Sequence, residues 1–334
     1  MAGFPLTGRA VALVGVVVVA MAGAGHAAAA PVYTMQSYPT NDVQVLHSFE
    51  DINASGAIVG QKIPGWPAPW ATYANGVMTE LPDSSQVSTA FINSLGDVAA
   101  DVTVDTGNYA LLWSGGVRTR ISKLAAVTGI NAKRQVIGQE AKGYKWPGMY
   151  DNGVYKRMAS LNDRGAFPAA INDQGVVVGM QREAELSRPV MWDVDGNISY
   201  LGSLTDVGRG AASAINTAGH ITGCTDVLGC FLYNGHKYRK LPKVDGHKVT
   251  SVVGLSDDDV VLGYSFTKLF KGDVVSCHGA TYAFRALLGE EGTHWTSIAL
   301  KRISPSGQII GAGTRDGEQR NFVATMTQSC DAID

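Results

Sequence analysis

Hydrophobic and polar positions along the chain fall into one block that recurs. An aliphatic residue is followed by Asn or Ser, then two residues, often Gly, one more residue, two aliphatics and a closing Gly. The block reads Ile52-Asn53-Ala54-Ser55-Gly56-Ala57-Ile58-Val59-Gly60 and returns at Ile130-Asn131, Ile171-Asn172 and Ile215-Asn216. Worn copies start at Ile92-Asn93, Leu255-Ser256 and Ile303-Ser304, so the spacings are 40, 38, 41, 44, 40 and 48 residues. Between copies an apolar-aromatic strand enters a glycine turn and leaves as an alternating strand, as in Trp70–Ala74, Asn75-Gly76, Val77–Leu81. The other turns are expected at Gly115-Gly116, Asn152-Gly153, Asp195-Gly196, Asn234-Gly235 and Glu291-Gly292. Asn-Gly and its relatives supply the positive φ that tight hairpins need. The Asn or Ser of the block reads as a turn residue, whose side chain bonds the backbone two residues on.

Each repeat therefore predicts four short strands, in the second copy Ser88–Ile92, Asp97–Val102, Tyr109–Trp113 and Val117–Ile121. Four antiparallel strands in about 40 residues define a β-propeller blade. The final copy supplies Gln308–Gly311 and Asn321–Thr327 and then lacks a fourth strand, whereas Val32–Tyr38 precedes the first copy. That offset predicts closure of a ring, which pairs the two free edges. The fold class expected is all-β, a seven-bladed β-propeller of four-stranded antiparallel blades closed by N- and C-terminal strands in one blade.

Residues 1–29 break this pattern. Arg9 precedes an apolar stretch from Ala10 to Ala22 and small residues through Ala27–Ala30, the order of a secretory signal peptide. Cleavage is expected after Ala27 or Ala29, leaving residues 30–334 as one propeller domain that is secreted or periplasmic, with no membrane insertion after cleavage. Glycine accounts for 40 of 334 residues, about 12% against about 7% in average usage, and the repeats absorb most of it. The whole chain carries 27 Lys+Arg against 29 Asp+Glu, a balance without the basic face that nucleic-acid binding needs. Four cysteines in an exported chain point to disulfides. Cys224 and Cys230 flank the shortest such connector, which leaves Cys277 for Cys330.

The Ile-Asn-x-x-Gly-x-Val-Val-Gly block with its aromatic, Asn-Gly and alternating strand resembles the HAF-type extracellular repeat family of bacterial exported proteins. The resemblance spans residues 31–334, with Tyr282-Ala283-Phe284 and Tyr109-Ala110-Leu111 nearest the triplet behind the family's name. It implies secretion and a propeller-like array, and it carries no active-site residues to transfer.

Candidate chemistry is sparse. No nucleophile elbow, His-Glu-x-x-His or phosphate loop is present. Asp193-Val194-Asp195-Gly196-Asn197 starts like a calcium loop, but Leu204 stands where a bidentate acid belongs. Asp257-Asp258-Asp259 reads as a solvated turn, and a metal reading of Cys224, Cys230 and His220 fails on spacing. No metal and no cofactor is expected. The inner strands, such as Ala211–Ala214 and Pro168–Ala170, are mostly small and apolar. The longest repeat carries extra residues around Phe266–Ala280, which place Phe266, Lys268, Phe270, Lys271 and His278 on a candidate recognition loop. The expected function is that of a monomeric, non-enzymatic binding module for a protein or glycan outside the cytoplasm. The alternative is a propeller hydrolase or lyase acting on an extracellular polysaccharide through acids such as Glu140, Glu183 or Asp257.

Overall fold

The computed structural model describes residues 30–330 apart from 106, 144 and 267–270. The expected signal peptide lies outside the described residues, as do Lys268 and Phe270. Seven four-stranded antiparallel sheets follow one another along the chain. Blade one holds Ser48–Ile52, Ile58–Gln61, Trp70–Ala74 and Val77–Glu80. Blade two holds Val87–Ile92, Val98–Val102, Tyr109–Ser114 and Val117–Ile121, within a residue of the expected bounds. The innermost strands of blades three to six are Leu124–Ile130, Ala166–Ile171, Gly210–Ile215 and Ser251–Leu255. Blade seven takes Trp295–Ile303, Ile309–Arg315 and Glu318–Gln328 from the C-terminus and Val32–Pro39 from the N-terminus. Met35 opposes Ala324 and Tyr38 opposes Asn321 across that closing pair. The protein is a seven-bladed β-propeller whose ring closes within one blade.

The closing Gly of the block has a steric cause. Every innermost strand carries an irregularity in its pairing, for example between Phe49 and Asp51 and between Pro168 and Ala170. The bulged backbone leans onto its neighbour. A Cβ on Gly60 would lie 1.8 Å from the Ser48 carbonyl oxygen, and one on Gly179 would lie 2.0 Å from that of Phe167. Only glycine admits this approach.

The core sits between blades. One cluster joins Val59 and Trp70 of blade one to Val87, Ala90, Leu111 and Trp113 of blade two. Trp70, Trp192, Trp295, Phe231 and Phe322 are fully buried. A burial of this kind contributes on the order of 2–3 kcal/mol per large side chain. Because each face needs the next blade to cover it, the ring is one cooperative unit.

Blade six departs from the expected reading. The residues around Phe266–Ala280 are not an inserted loop. Val261–Phe266, Lys271–Cys277 and Ala280–Ala283 are three of its four strands. Its hairpin turn is His278-Gly279, with φ of 45° and 89°, where Cys277 opposes Ala280. Glu291-Gly292 instead lies in a 3-10 segment, Phe284–His294. That segment supplies the extra length, and it buries Phe284, Leu287 and Leu288 against Tyr33, Trp295 and Phe322. A His-Gly turn lacks the Asn, Asp or Gly that opens the other hairpins, so the later Glu-Gly pair looked like the turn.

Two disulfides are formed. Cys224 and Cys230 face each other across a strand pair, with Cα atoms 3.9 Å apart. Cys277–Cys330 ties blade six to the segment after the last strand, spanning 53 residues of sequence. Bridges of this kind fit an oxidising compartment. Among the described residues, no helix is long and apolar enough to cross a membrane.

Candidate functional site: the central channel

The innermost strands of all seven blades converge on a channel whose two ends differ. One end is closed down by the turns that follow the innermost strands, leaving about 120 Å³ lined by Asn53, Asn93, Asn172, Asn216 and their neighbours. The other end opens into a cavity of about 820 Å³.

At the narrow end each asparagine does two jobs. The Oδ1 of Asn53 accepts hydrogen bonds from the Ser55 and Ala57 backbone N–H groups, at 3.0 and 2.9 Å. That is the turn the sequence predicts. Its Nδ2 meanwhile donates to the Asn93 carbonyl of the next blade, at 2.8 Å. Asn93 reaches the Asn131 carbonyl, Asn131 reaches Asn172, Asn172 reaches Asn216 and Asn216 reaches Ser256, at 3.0 to 3.2 Å. These side chains are buried, so every bond pairs an amide donor that water cannot reach, on a carbonyl that also accepts a backbone N–H of its own turn. Ser256 and Ser304 keep the local half, with their Oγ atoms accepting from Val260 and Gln308 N–H. From this position serine is too short to reach the next blade's carbonyl.

The wide end is uneven. At the two positions before the aliphatic residue of each block stand Ala90-Phe91, Thr128-Gly129, Ala169-Ala170, Ser213-Ala214 and Val253-Gly254 in blades two to six. In blade one the pair is Glu50-Asp51 and in blade seven it is Lys301-Arg302. The charges meet across the closing junction. Lys301 Nζ lies 2.5 Å from Glu50 Oε2, and Arg302 Nε lies 4.0 Å from Asp51 Oδ1. The Arg302 guanidinium also sits 5.7 Å from the centre of the Phe91 ring, within cation–π reach. Burial pushes the Asp51 carboxyl up to about 6, against the pull of Arg302 and of the Ile92 N–H that it accepts at 2.9 Å. Asp273, behind blade seven, is likewise pushed up to about 6 by burial while accepting the Leu300 N–H. The mouth also takes Phe167, Pro168, Met180, Ala211 and Val252, with Thr128, Gln139 and Ser213 as its uncharged polar side chains. The site is thus a largely apolar cup with one ionic seam.

The apolar inner strands were legible in the sequence. The seam was not, although aligning the two residues ahead of each block would have exposed it. Of the expected recognition loop, the described Phe266, Lys271 and His278 do not line the channel. Phe266 ends the second strand of blade six, 66% exposed. Lys271 opens the third strand and His278 forms the hairpin turn. Glu140, Glu183 and Asp257 lie on three different blades, each held by its own neighbour. Glu140 takes both oxygens to Arg157, at 2.7 and 2.8 Å. Glu183 accepts from the Tyr200 hydroxyl at 2.5 Å, and Asp257 accepts from Thr217 N–H at 2.9 Å. Asp193 closes a turn by accepting the Asp195 and Asn197 N–H groups. His220 pairs with Asp259 at 2.7 Å. Among the described residues, no group of three or more His, Cys, Asp or Glu is placed to hold a metal ion.

Solved structures of the same architecture are recognisable. A streptogramin B lyase is 11% identical with a TM-score of 0.52, matching 88% of this chain and 98% of that one. An acylaminoacyl peptidase from Pyrococcus horikoshii is 10% identical with a TM-score of 0.51, and this chain covers 82% of itself but 51% of the peptidase. Likeness at this identity places the chain among β-propellers and goes no further. No family model matches the chain and no curated protein matches it.

Proposed function

We propose that this chain is an exported, HAF-type propeller that binds a protein or glycan outside the cytoplasm, seating part of its ligand in the wide mouth of the central channel. The supporting observation is the cup itself, about 820 Å³ of largely apolar wall that Asp51 and Arg302 of the ionic seam enter. A concave, largely apolar surface with a few fixed polar groups is what ligand recognition requires. The four charges are paired with one another, so the seam orients a ligand by its dipole and by exchange of partners. The paired disulfides support export, and residues 1–29 supply the address. The test is an array of bacterial envelope glycans and exported proteins probed with the purified chain and with Ser213→Trp, which fills the cup from blade five. At least one ligand is expected to bind the parent and to lose most of its affinity on the variant. The reading is overturned if Ser213→Trp weakens the binding of none of the ligands.

One observation favours hydrolase or lyase chemistry instead. The Asp51 carboxyl, pushed up to about 6, lines the mouth, and a carboxyl so shifted suits proton transfer near neutral pH. Polysaccharide cleavage that Asp51→Asn abolishes would establish this alternative, and binding without turnover would dismiss it.

A further inference from the structure

Outside the channel, the wide face carries a second cavity of about 760 Å³ between blades one and two. Its lining is Trp66, Gln86, Ser88, Thr103, Val104 and Asp105. Trp66 belongs to the connection between the second and third strands of blade one, and Thr103–Asp105 to the matching connection of blade two. Gln86 and Ser88 come from the start of blade two. Five of the six tryptophans spend their rings inside the molecule or half within it, whereas Trp66 is 52% exposed.

The chain around this indole is stiff. Pro64 precedes it and Pro67 and Pro69 follow, and each proline fixes its own φ. Ala68 is fully buried and pins the loop to the blade. The Lys62 N–H also donates to the Pro69 carbonyl at 2.9 Å, closing the loop at its base. Blade two's side is fixed as well. Thr103 N–H reaches the Gln86 carbonyl at 3.3 Å. Ser88 Oγ lies 3.2 Å from the Asp101 carbonyl oxygen. An exposed aromatic held this way forfeits little entropy when something stacks on it.

We propose that this cavity is a carbohydrate site that takes a neutral hexose or pentose unit of a polysaccharide. The indole face is electron-rich and attracts the weakly positive C–H face of a sugar ring. Around it stand one amide, two hydroxyls and one carboxylate, which supply both donors and acceptors to vicinal hydroxyl groups. Asp105 is the one ionisable side chain in the lining. The nearest cation of the Trp66 loop, Lys62, is already 2.7 Å from Glu80. A carboxylate without a matching cation repels uronates and sulfated sugars, so the ligand is neutral. An apolar protein anchor is a poorer fit, since it offers no hydrogen-bond partner to the Gln86, Thr103 and Asp105 side chains that it would bury.

The site is independent of the channel, and its test keeps the two apart. Cellohexaose, maltohexaose, xylohexaose and chitohexaose are titrated into the purified chain by calorimetry, alongside Trp66→Ala, Trp66→Tyr and the channel variant Ser213→Trp. At least one oligosaccharide is expected to bind saturably, with about a tenfold or greater loss for Trp66→Ala. Trp66→Tyr retains part of that affinity, and Ser213→Trp retains all of it. Polygalacturonate is expected not to compete, and Asp105→Asn is expected to relax that exclusion. Binding unchanged by Trp66→Ala, loss confined to Ser213→Trp, or no saturable binding to any of the four sugars overturns the proposal.

Discussion

From blade one to blade six the ring is held by one device used five times, an asparagine amide reaching the next blade's carbonyl. From blade six through seven back to one it is held by several devices, each used once. There the Cys277–Cys330 bridge, the Lys301–Glu50 and Arg302–Asp51 pairs, the Asp257 N–H to Pro305 carbonyl bond and the Ser306 hydroxyl to Ala54 carbonyl bond do the joining. The difference follows from how blade seven is built. Each of blades one to six is a run of local hairpins, and a repeat-encoded bond of about 1 kcal/mol ties it to the next. Blade seven alone pairs strands from the two ends of the chain, so its loop-closure cost is larger and stronger links concentrate on both of its sides. The same concentration places charge at the channel mouth, so the architecture of closure and the candidate site are one feature.

Removing the long-range disulfide is the largest expected perturbation. Cys277→Ser with Cys330→Ser is expected to cost about 4 kcal/mol, because 53 residues separate the cysteines. The six-residue Cys224–Cys230 bridge is expected to cost about 2 kcal/mol. Denaturant melts of both pairs in parallel would show equal losses if closure needed no special link.

A smaller effect separates the two jobs of the asparagines. Asn172→Ala removes the turn acceptor and the inter-blade donor together, leaving the Val176 N–H without its acceptor and the Asn216 carbonyl with only the Gly219 N–H, at about 2–3 kcal/mol. Asn172→Ser reproduces what blades six and seven carry and is expected to lose only about 1 kcal/mol. If chemical denaturation found the serine as costly as the alanine, the inter-blade bond would be the whole of the residue's worth.

Acidity probes the seam. The Asp51 and Asp273 carboxyls are both raised by burial to about 6, above the ordinary 3.8, so the folded state holds more protons than the unfolded one between those values. Stability is therefore expected to rise as pH falls from about 6 towards 4, and to be lost as pH climbs back through about 6. Asp101, raised by burial at the junction of blades two and three, acts in the same direction. Melting temperature followed across that window should flatten in Asp51→Asn combined with Asp273→Asn. A slope unchanged in the double variant would place the titration elsewhere.

The smallest effect belongs to the residue that first looked like a recognition element. Phe266→Ser is expected to shift stability by less than about 0.5 kcal/mol, since the ring is 66% exposed. A larger loss in a thermal melt would mean that it packs against a neighbour.

Reading from sequence to structure, the repeat was enough to set the number of blades, the closing strand and most hairpins, because each depends on local turn chemistry and on period-2 alternation. It misplaced the blade-six hairpin, where His278-Gly279 turns without an Asn or Asp and the 3-10 segment Phe284–His294 follows. It caught the inward-facing alanines of blades four and five and missed the charged pairs of blades seven and one. Glu50-Asp51 and Lys301-Arg302 are about 250 residues apart in sequence, and only closure brings them within a few ångströms. Trp66 was invisible for the same reason, since its polar partners belong to the next blade. Sequence by itself determined what a single repeat can hold within its own 40 residues. Tertiary structure decided most of what is made between blades, including the asparagine links, the seam and the cup, because those contacts exist only when one blade packs on the next.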